Sequence, residues 1–198
     1  MAWLDDILGV RPNADNYFSP TRFDFQIIDS ATELHDLIRD RNQSNNKSRV
    51  VAGYCWNWIS KTKPELFDIE IPTDGYRAKW NLASDGNEWI MNPKSVEEVG
   101  CIHTCQGLEV DYVGVIIGPD LRVIDGHLMT DPSARAKTDK SLAGYKKSLK
   151  EDAINAELKA DEIIRNTYRT LMSRGMKGCY VHFTDSATAE YFKDHLPK

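Results

Sequence analysis

The polar residues best suited to chemistry lie between two apolar runs in the middle of the chain, within residues 99–118. They are His103, Thr104, Gln106, Gly107, Glu109 and Asp111. Short apolar runs between turn signals are typical of buried strands. A glycine beside carboxylates and an amide, where a strand gives way to a turn, is typical of a ligand-binding rim. Because open α/β sheets bind ligands at the carboxyl ends of their strands, we expect the rim at that edge.

A second group of residues with chemical potential lies near the C-terminus, around Arg174. A helix is predicted over residues 153–171, since its apolar residues recur among many charges, and Gly175 marks its expected end. A strand is predicted at residues 178–184. Taken alone, an arginine at the end of a helix is more often a C-cap or an ion-pair partner than a functional group.

The first part of the chain predicts the scaffold for these residues. Residues 23–28 alternate like a strand, and Ser30 with Glu33 forms a capping box that opens a helix to about Asn42. Residues 49–54 form a short β-rich run that we interpret as a core strand. The order strand, helix, strand is typical of a βαβ unit in a parallel sheet.

Two tryptophans, Trp56 and Trp58, directly follow that second strand. They could stack on bases or on another ring, as nucleic-acid-binding residues do. The alternative is that one packs under the sheet and the other covers a loop, which the usual burial of tryptophan favours.

Three Asp-Gly pairs, at residues 74–75, 85–86 and 125–126, predict hairpin turns. The first two lie in an irregular stretch, at about residues 61–93, that carries Trp80 and Trp89. We interpret this stretch as a β-hairpin insertion on the rim of the sheet.

Charged residues elsewhere allow simple interpretations. Residues 1–9 predict an amphipathic helix with Asp5 and Asp6 on its polar face. Residues 131–150 are locally basic, and either contact phosphate or form a solvated face. Asp120 follows a predicted strand, but the chain has no phosphate-binding loop to share a magnesium ion with it, so we assign no metal site.

Length and composition indicate an ordinary globular domain of 198 residues. The net charge of −5 argues against a generally basic nucleic-acid coat but permits a local basic groove. No apolar run approaches the roughly 20 residues that span a bilayer, so we expect no membrane association. Four cysteines without a Cys-x-x-Cys pair give a zinc site little support. Cys101 and Cys179 lie inside apolar runs and are predicted to be reduced, buried thiols of a cytoplasmic protein.

The spacing His103-x-x-Gln106-Gly107-x-Glu109-x-Asp111, followed by a strand, resembles motif V of superfamily 1 helicases. The residues around this motif are more similar still to those of the Schlafen group 3-like DNA/RNA helicases, and the resemblance runs from about Trp3 to the C-terminus. The resemblance implies an α/β, three-layer RecA-like fold of the P-loop NTPase type, with a mostly parallel sheet. Residues 1–198 would form one such domain.

Motif V of this family serves two ligands. By resemblance, Gly107 and Glu109 lie near the nucleotide, with Glu109 on the ribose. Gln106 lies between the two sites and is also assigned to the nucleotide. His103 and Thr104 are assigned to the nucleic-acid backbone.

Ser173-Arg174-Gly175, between a helix and a strand, resembles motif VI of the same helicases. The resemblance implies that Arg174 is a catalytic residue that reaches the γ-phosphate from the second lobe. A guanidinium supplied across a cleft stabilises the charge that spreads over the phosphoryl oxygens, by about 10³–10⁵ in rate in GTPases.

The chain contains no Gly-x-x-x-x-Gly-Lys-Ser/Thr sequence, so the resemblance covers only the second RecA-like lobe. ATP and Mg²⁺ would be cofactors of the complete protein, and we expect neither bound to this chain alone. The expected partners are the missing N-terminal RecA-like lobe and single-stranded DNA or RNA. We also expect this chain alone to be inactive as an ATPase.

Two other function classes remain open at this point. One is a non-catalytic nucleic-acid- or protein-binding adaptor with a degenerate RecA-like fold. The other is a nuclease or related hydrolase, which would need carboxylates clustered around metal ions about 4 Å apart.

Overall fold

The computed structural model describes residues 2–11, 22–81, 89–105, 107 and 109–196. Its strands are β1 (Asp24–Ile27), β2 (Ser48–Ala52), β3 (Ile69–Ile71), β4 (Tyr76–Trp80), β5 (Glu98–Gly100), β6 (Val110–Ile117), β7 (Leu121–Ile124), β8 (His127–Thr130) and β9 (Gly175–Phe183). Its α-helices are α1 (Ala2–Ile7), α2 (Ala31–Asn42), α3 (Tyr145–Glu151), α4 (Ala153–Met172) and α5 (Ser186–His195). Gln106 and the predicted turn at residues 85–86 lie outside the described residues.

Seven strands form one sheet in the order β1-β9-β6-β2-β5-β4-β3. Every neighbouring pair in it is parallel except β3 and β4, which form an antiparallel hairpin at the edge. β7 and β8 make a separate hairpin whose turn is at residues 125–126, as predicted. The α/β, mostly parallel sheet confirms the predicted fold class and is consistent with a RecA-like domain.

Helices cover both faces of the sheet, which gives three layers. Along β6, Val113 and Val115 pack in the same cluster as residues of α1 and α4, whereas Ile116 packs with residues of α2 on the other face. This alternation is the two-residue period of a strand that is buried on both sides. Gly114 faces α2 at close range, since a Cβ atom there would lie 2.8 Å from Cγ1 of Ile38.

The N-terminus of α2 is capped from two places. The Ser30 hydroxyl accepts the backbone N–H groups of Thr32 and Glu33, as the sequence predicts. The carboxylate of Asp74, in the β3–β4 turn, accepts the N–H of Ala31 at 2.6 Å. A carboxylate at the positive end of a helix dipole is favourable, so this contact fastens the hairpin to α2.

Three details differ from the expectation. Asp5 is buried rather than on a polar face, because Arg169 of α4 pairs with it, and the hydrogen bond from Arg169 lowers the pKa of Asp5. Gly175 begins β9 instead of ending the helix, whose C-cap is Ser173. Within the predicted rim insertion, β4 pairs with β5 and so extends the main sheet, with Trp80 fully buried.

Within the described part of the chain, no helix combines enough length and apolar character to cross a membrane.

His35 on α2 gives the fold a pH dependence. Its ring is buried, with one nitrogen 2.7 Å from the Tyr76 hydroxyl and the other 2.7 Å from the Val96 carbonyl oxygen. Burial lowers the pKa of His35, and burial likewise lowers the pKa of His182 on β9. The folded state therefore keeps both rings neutral at a pH where the unfolded chain protonates them.

We predict that the free energy of unfolding decreases as the pH falls below about 6.5, by up to about 1.4 kcal/mol per pH unit for each of these histidines. The loss levels off below the folded-state pKa values. Urea unfolding at about pH 7.5 and 5.5 measures it, in a range where unfolded carboxyl groups remain ionised. His35→Gln should reduce the difference, whereas His127→Gln, on an exposed hairpin residue, should not. An unchanged pH dependence in His35→Gln would contradict the assignment.

Candidate functional site

The connection between β5 and β6 runs from the carboxyl ends of the parallel strands back to their amino ends. We call these two sides of the sheet the carboxyl edge and the amino edge. Both strands pair in parallel with β2, so the chain must return from the carboxyl end of β5 to the amino end of β6. Residues 101–109 make that return. The single rim expected at the carboxyl edge is therefore divided: His103 and Thr104 follow β5, whereas Gly107 and Glu109 lead into β6 at the amino edge.

At the amino edge, the structure brings Glu109 and Arg174 together. The N–H of Val110 donates to the carbonyl oxygen of Arg174 at 3.0 Å, and Val110 is in register with Gly175. Glu109 and Arg174 each immediately precede this pair of strand residues. Glu109 is exposed and Arg174 is partly exposed, so a charged group of each sign lies at the start of two adjacent strands.

Gly107 has the backbone geometry of a close-approach site. Its φ is +79°, in the left-handed region that favours glycine, and among the described residues none has an atom within 4 Å of a Cβ atom placed there. The backbone conformation, and not crowding by the described residues, therefore favours glycine at this position.

Arg174 also has a structural role. Its Nε donates to the carbonyl oxygen of Thr170 at 3.2 Å, which caps the last turn of α4.

A β-bulge lies next to Arg174 in the sequence. The register of β6 with β9 shifts between Val110 and Tyr112, where β9 has one extra residue between Gly175 and Gly178. β-bulges often lie next to functional sites, where they redirect a side chain.

Asp111 is occupied within the fold. One of its carboxylate oxygens accepts hydrogen bonds from Lys177 and from Asn45, both at 2.7 Å. The hydrogen bond from Lys177 is the main reason why the pKa of Asp111 is lowered. Asp111 therefore joins the start of β6 to the β9 bulge.

At the carboxyl edge, Thr104 and His103 stand in a tight turn. The N–H groups of Thr104 and Cys105 both donate to the Cys101 carbonyl oxygen at 3.0 Å. The Thr104 hydroxyl donates to the side-chain oxygen of Asn81 at 2.7 Å. The His103 side chain is 52% exposed, with Nε2 3.7 Å from a carboxylate oxygen of Asp139, so its ring is available to a ligand.

Asp139 belongs to a buried ionic cluster with Arg135 and Asp120. The guanidinium of Arg135 lies 2.7 Å from Asp139 and 2.9 Å from Asp120, and all three side chains are at most 2% exposed. The Tyr168 hydroxyl of α4 donates to Asp120 and accepts the N–H of Gly118 at 3.0 Å. Burial alone would raise the pKa of Asp139, but the charge of Arg135 and the hydrogen bonds from Ser141 and Arg135 together hold that pKa below its usual value.

This cluster is the main feature that the sequence did not indicate. Arg135 lies in a lysine-rich stretch that predicts phosphate contact or a solvated face, and for Arg135 both interpretations are wrong because two carboxylates bury it. The Asp120 carboxylate accepts hydrogen bonds from Arg135 and from Tyr168. The available signal was weak: one arginine among lysines, and an aspartate directly after a strand.

Trp56 and Trp58 are both partly buried. The Trp56 carbonyl oxygen accepts the indole N–H of Trp80 at 3.1 Å, and the Trp56 ring packs against that of Trp80 with centroids 6.5 Å apart. Trp58 has Lys61 Nζ 5.7 Å from its ring centroid. Both follow β2 and thus lie at the carboxyl edge, as His103 and Thr104 do.

The cysteines are free thiols; Cys101 and Cys179 are buried as expected, and Cys105 is buried as well. Burial raises the pKa of Cys105 and of Cys179, so both stay protonated and unreactive. Among the residues the structure describes, no three His, Cys, Asp or Glu side chains are grouped so that they could hold a metal ion.

Comparison with known proteins gives two matches. The profile of the family described as "Schlafen group 3, DNA/RNA helicase domain" matches residues 1–185. An uncharacterized protein of Saccharomyces cerevisiae, YPL245W, is 24% identical over 172 residues, which cover 85% of this chain and 36% of that protein. The chain thus spans about 36% of the length of this relative. No solved structure matches the chain.

We predict that Tyr168→Phe lowers the free energy of unfolding by about 1–3 kcal/mol, because it leaves the buried Asp120 carboxylate and the Gly118 N–H each short of a partner. Tyr145→Phe is the control, since Tyr145 lies on the short helix α3 outside the buried cluster, and should change stability by less than about 0.5 kcal/mol. Chemical denaturation of the three proteins provides the comparison. Equal stabilities of the two variants would show that the hydroxyl of Tyr168 contributes nothing to the cluster.

Proposed function

The chain belongs to the Schlafen group 3 DNA/RNA helicase domain family, and from that premise we propose that it is the second, RecA-like motor lobe of an ATP-dependent DNA or RNA helicase or translocase. The observation that carries the proposal is the joining of motifs V and VI at one sheet edge, through the hydrogen bond from Val110 to Arg174. Two segments more than 60 residues apart in sequence, each resembling a nucleotide-contacting motif, meet there.

In this proposal Arg174 contacts the terminal phosphate of a nucleotide held by another lobe. Its guanidinium is always charged and offers several donors in one plane, which suits phosphoryl oxygens. The hydrogen bond from Nε to the Thr170 carbonyl oxygen already orders the Arg174 side chain, so less conformational entropy is lost when the guanidinium binds phosphate. Arg174 then stabilises charge that develops during transfer without itself exchanging a proton.

Glu109, Gly107 and Gln106 form the remainder of the proposed nucleotide edge. An exposed carboxylate accepts hydrogen bonds from the two hydroxyl groups of a ribose, which is the role proposed for Glu109. The left-handed backbone of Gly107 allows a ligand to approach the main chain. Gln106 lies beyond the described residues, and its proposed role rests on the motif alone.

The residues present suit a nucleotide phosphate and ribose but not a metal ion. Arg174 offers donors to an anion, and Glu109 is a single carboxylate, whereas Mg²⁺ seeks octahedral oxygen ligands. ATP with Mg²⁺ supplies the transferable phosphoryl group when bound. We propose that both are held mainly by an N-terminal RecA-like lobe, and that this chain completes the site from across the cleft.

The proposed nucleic-acid edge is the carboxyl edge, with His103, Thr104, Trp56 and Trp58. His103 is exposed, and its Nε2 lies 3.7 Å from a carboxylate oxygen of the buried Asp139. Thr104 has its hydroxyl proton committed to Asn81, so it would accept rather than donate a hydrogen bond. A strand of DNA or RNA would thus contact the opposite edge of the sheet from the nucleotide.

We predict that Arg174→Ala, in the protein that includes the first lobe, lowers the ATPase kcat by about 10³–10⁵ with little change in the nucleotide KM, because the contact forms mainly in the transition state. Arg174→Lys should recover only part of the loss, since an ammonium keeps the charge but not the planar fork. Steady-state ATPase assays with and without single-stranded DNA and RNA measure both effects.

Arg77→Ala is the matched control, since Arg77 is an exposed arginine on β4. It should retain full activity. If Arg174→Ala also retained full activity, the motor proposal would fail, and the non-catalytic adaptor would become the better account of the fold.

We further predict that the purified 198-residue chain does not hydrolyse ATP above background. The reason is that it has no phosphate-binding loop in its sequence. The measurement is phosphate release with Mg²⁺ and single-stranded nucleic acid present. Turnover by this chain that Arg174→Ala abolished would show that it holds a complete site.

A further inference from the structure

A compact loop that follows β2 carries an unusual combination of exposed aromatic, aliphatic and basic side chains. We refer to residues 58–67 as the Trp58 loop, with the sequence Trp-Ile-Ser-Lys-Thr-Lys-Pro-Glu-Leu-Phe. Ile59, Leu66 and Phe67 are 40–41% exposed. Lys61 and Lys63 are exposed as well, and Glu65 is the only acidic residue in this sequence.

The loop is closed at its base by one buried carboxylate. Asp68 accepts the N–H of Ser60 at 2.7 Å and its hydroxyl at 2.6 Å. It also accepts the N–H of Trp80, on β4, at 2.9 Å. Because Asp68 is 5% exposed and holds both ends of the loop against the sheet, the exposed side chains stand on a fixed base.

Two lysines lie over the aromatic rings of this surface. Lys61 Nζ lies 5.7 Å from the centroid of Trp58, and Lys79 Nζ lies 5.7 Å from the centroid of Phe67. Lys79 also donates to the Pro64 carbonyl oxygen, which keeps β4 attached to the loop. Rings with cations nearby offer a flat face for a base and a positive charge for the phosphate beside it.

The loop is continuous with the proposed nucleic-acid edge. It begins two residues after Trp56, and the buried Trp80 joins the two, since its indole N–H donates to the Trp56 carbonyl oxygen. A strand that lies along the carboxyl edge at Trp56 therefore meets the Trp58 loop next.

We infer that the Trp58 loop is a second single-strand contact, which binds DNA or RNA without sequence preference by stacking bases on Trp58 and Phe67 and pairing phosphates with Lys61 and Lys63. This inference rests on the proposed function for the direction of the strand. It extends the nucleic-acid surface onto a loop outside motifs V and VI.

An anionic bilayer is the other partner that apolar residues and lysines can recognise. Insertion into a bilayer requires apolar side chains that project well beyond the backbone. Here the apolar side chains keep more than half their surface covered, and Trp58 is only partly exposed, so they form a shallow surface instead. That shape suits stacking better than insertion.

The test uses the 198-residue chain and fluorescein-labelled dT and U oligonucleotides of about 20 nucleotides, with anisotropy measured over a series of salt concentrations. Lys61→Gln with Lys63→Gln should lower the slope of log Kd against log salt by about 1.4, at about 0.7 per lost phosphate contact. The control is Lys94→Gln with Lys159→Gln, which removes two exposed lysines elsewhere and should leave the slope unchanged.

Phe67→Ala should weaken binding about 5- to 150-fold, the range that corresponds to removal of one stacking ring. Ile124→Ala removes a similarly exposed apolar side chain from the β7–β8 hairpin and should bind like the unaltered chain. Thermal melting of each variant identifies any loss of folding, and both loop substitutions fall on exposed side chains, so their binding can be compared directly.

Three results would overturn the inference. They are failure of the unaltered chain to bind either oligonucleotide at low salt, loop variants that bind like their controls, and binding to phosphatidylserine vesicles that the loop substitutions abolish while oligonucleotide binding persists. The Arg174 ATPase assay does not depend on the Trp58 loop, so failure of the loop inference and failure of the catalytic role of Arg174 can be told apart.

Discussion

The buried pairing of Arg135 with Asp120 and Asp139 is the constraint on which the carboxyl edge depends. Removing ions from water costs several kcal/mol each, which is offset only when every charge has close partners. Asp120 follows β6, whereas Arg135 and Asp139 belong to the connection that leads to α3, so their pairing fixes that connection across the strand ends. Tyr168 adds α4 to the same cluster. The exposed ring of His103 lies 3.7 Å from Asp139, so it stands next to a rigid, buried group, which suits a binding residue.

The return loop between β5 and β6 explains why one motif can serve two edges. β5 and β6 both lie parallel to β2, which separates them, so the chain can reach the start of β6 only by returning along the sheet, and it does so within the nine residues 101–109. The loop therefore displays His103 and Thr104 at one end and Gly107 and Glu109 at the other. At the amino end, the β9 bulge and the ion pair of Asp111 with Lys177 hold β6 beside Arg174. Position along the loop, and not a change of fold, separates the two proposed roles.

The sequence predicted those elements whose pattern is local. The apolar period of α4, the capping serine of α2 and the Asp-Gly turn of the β7–β8 hairpin each depend on neighbouring residues, and each is found in the structure. Asp5 and Arg135 were misjudged because their burial depends on a partner far along the chain, which no local pattern reveals. The same reason applies to β4, which reads as an outlying hairpin strand until β5 is known to lie beside it. The meeting of Glu109 with Arg174 was expected only through the family resemblance, since neither residue alone indicates the other.

The distance between the two edges limits how they can act together. β6 has eight residues, and seven steps of about 3.3 Å place its first and last residues about 23 Å apart. No single ligand group bridges that span, so a nucleotide and a nucleic-acid strand bound as proposed would not touch. The sheet between them is buried on both faces and close-packed, which makes it stiff. A change at the nucleotide edge would therefore move the lobe as a whole, and the strand contacts at His103, Thr104 and the Trp58 loop would move with it. A motor lobe requires this arrangement, in which separate nucleotide and nucleic-acid contacts belong to one rigid body.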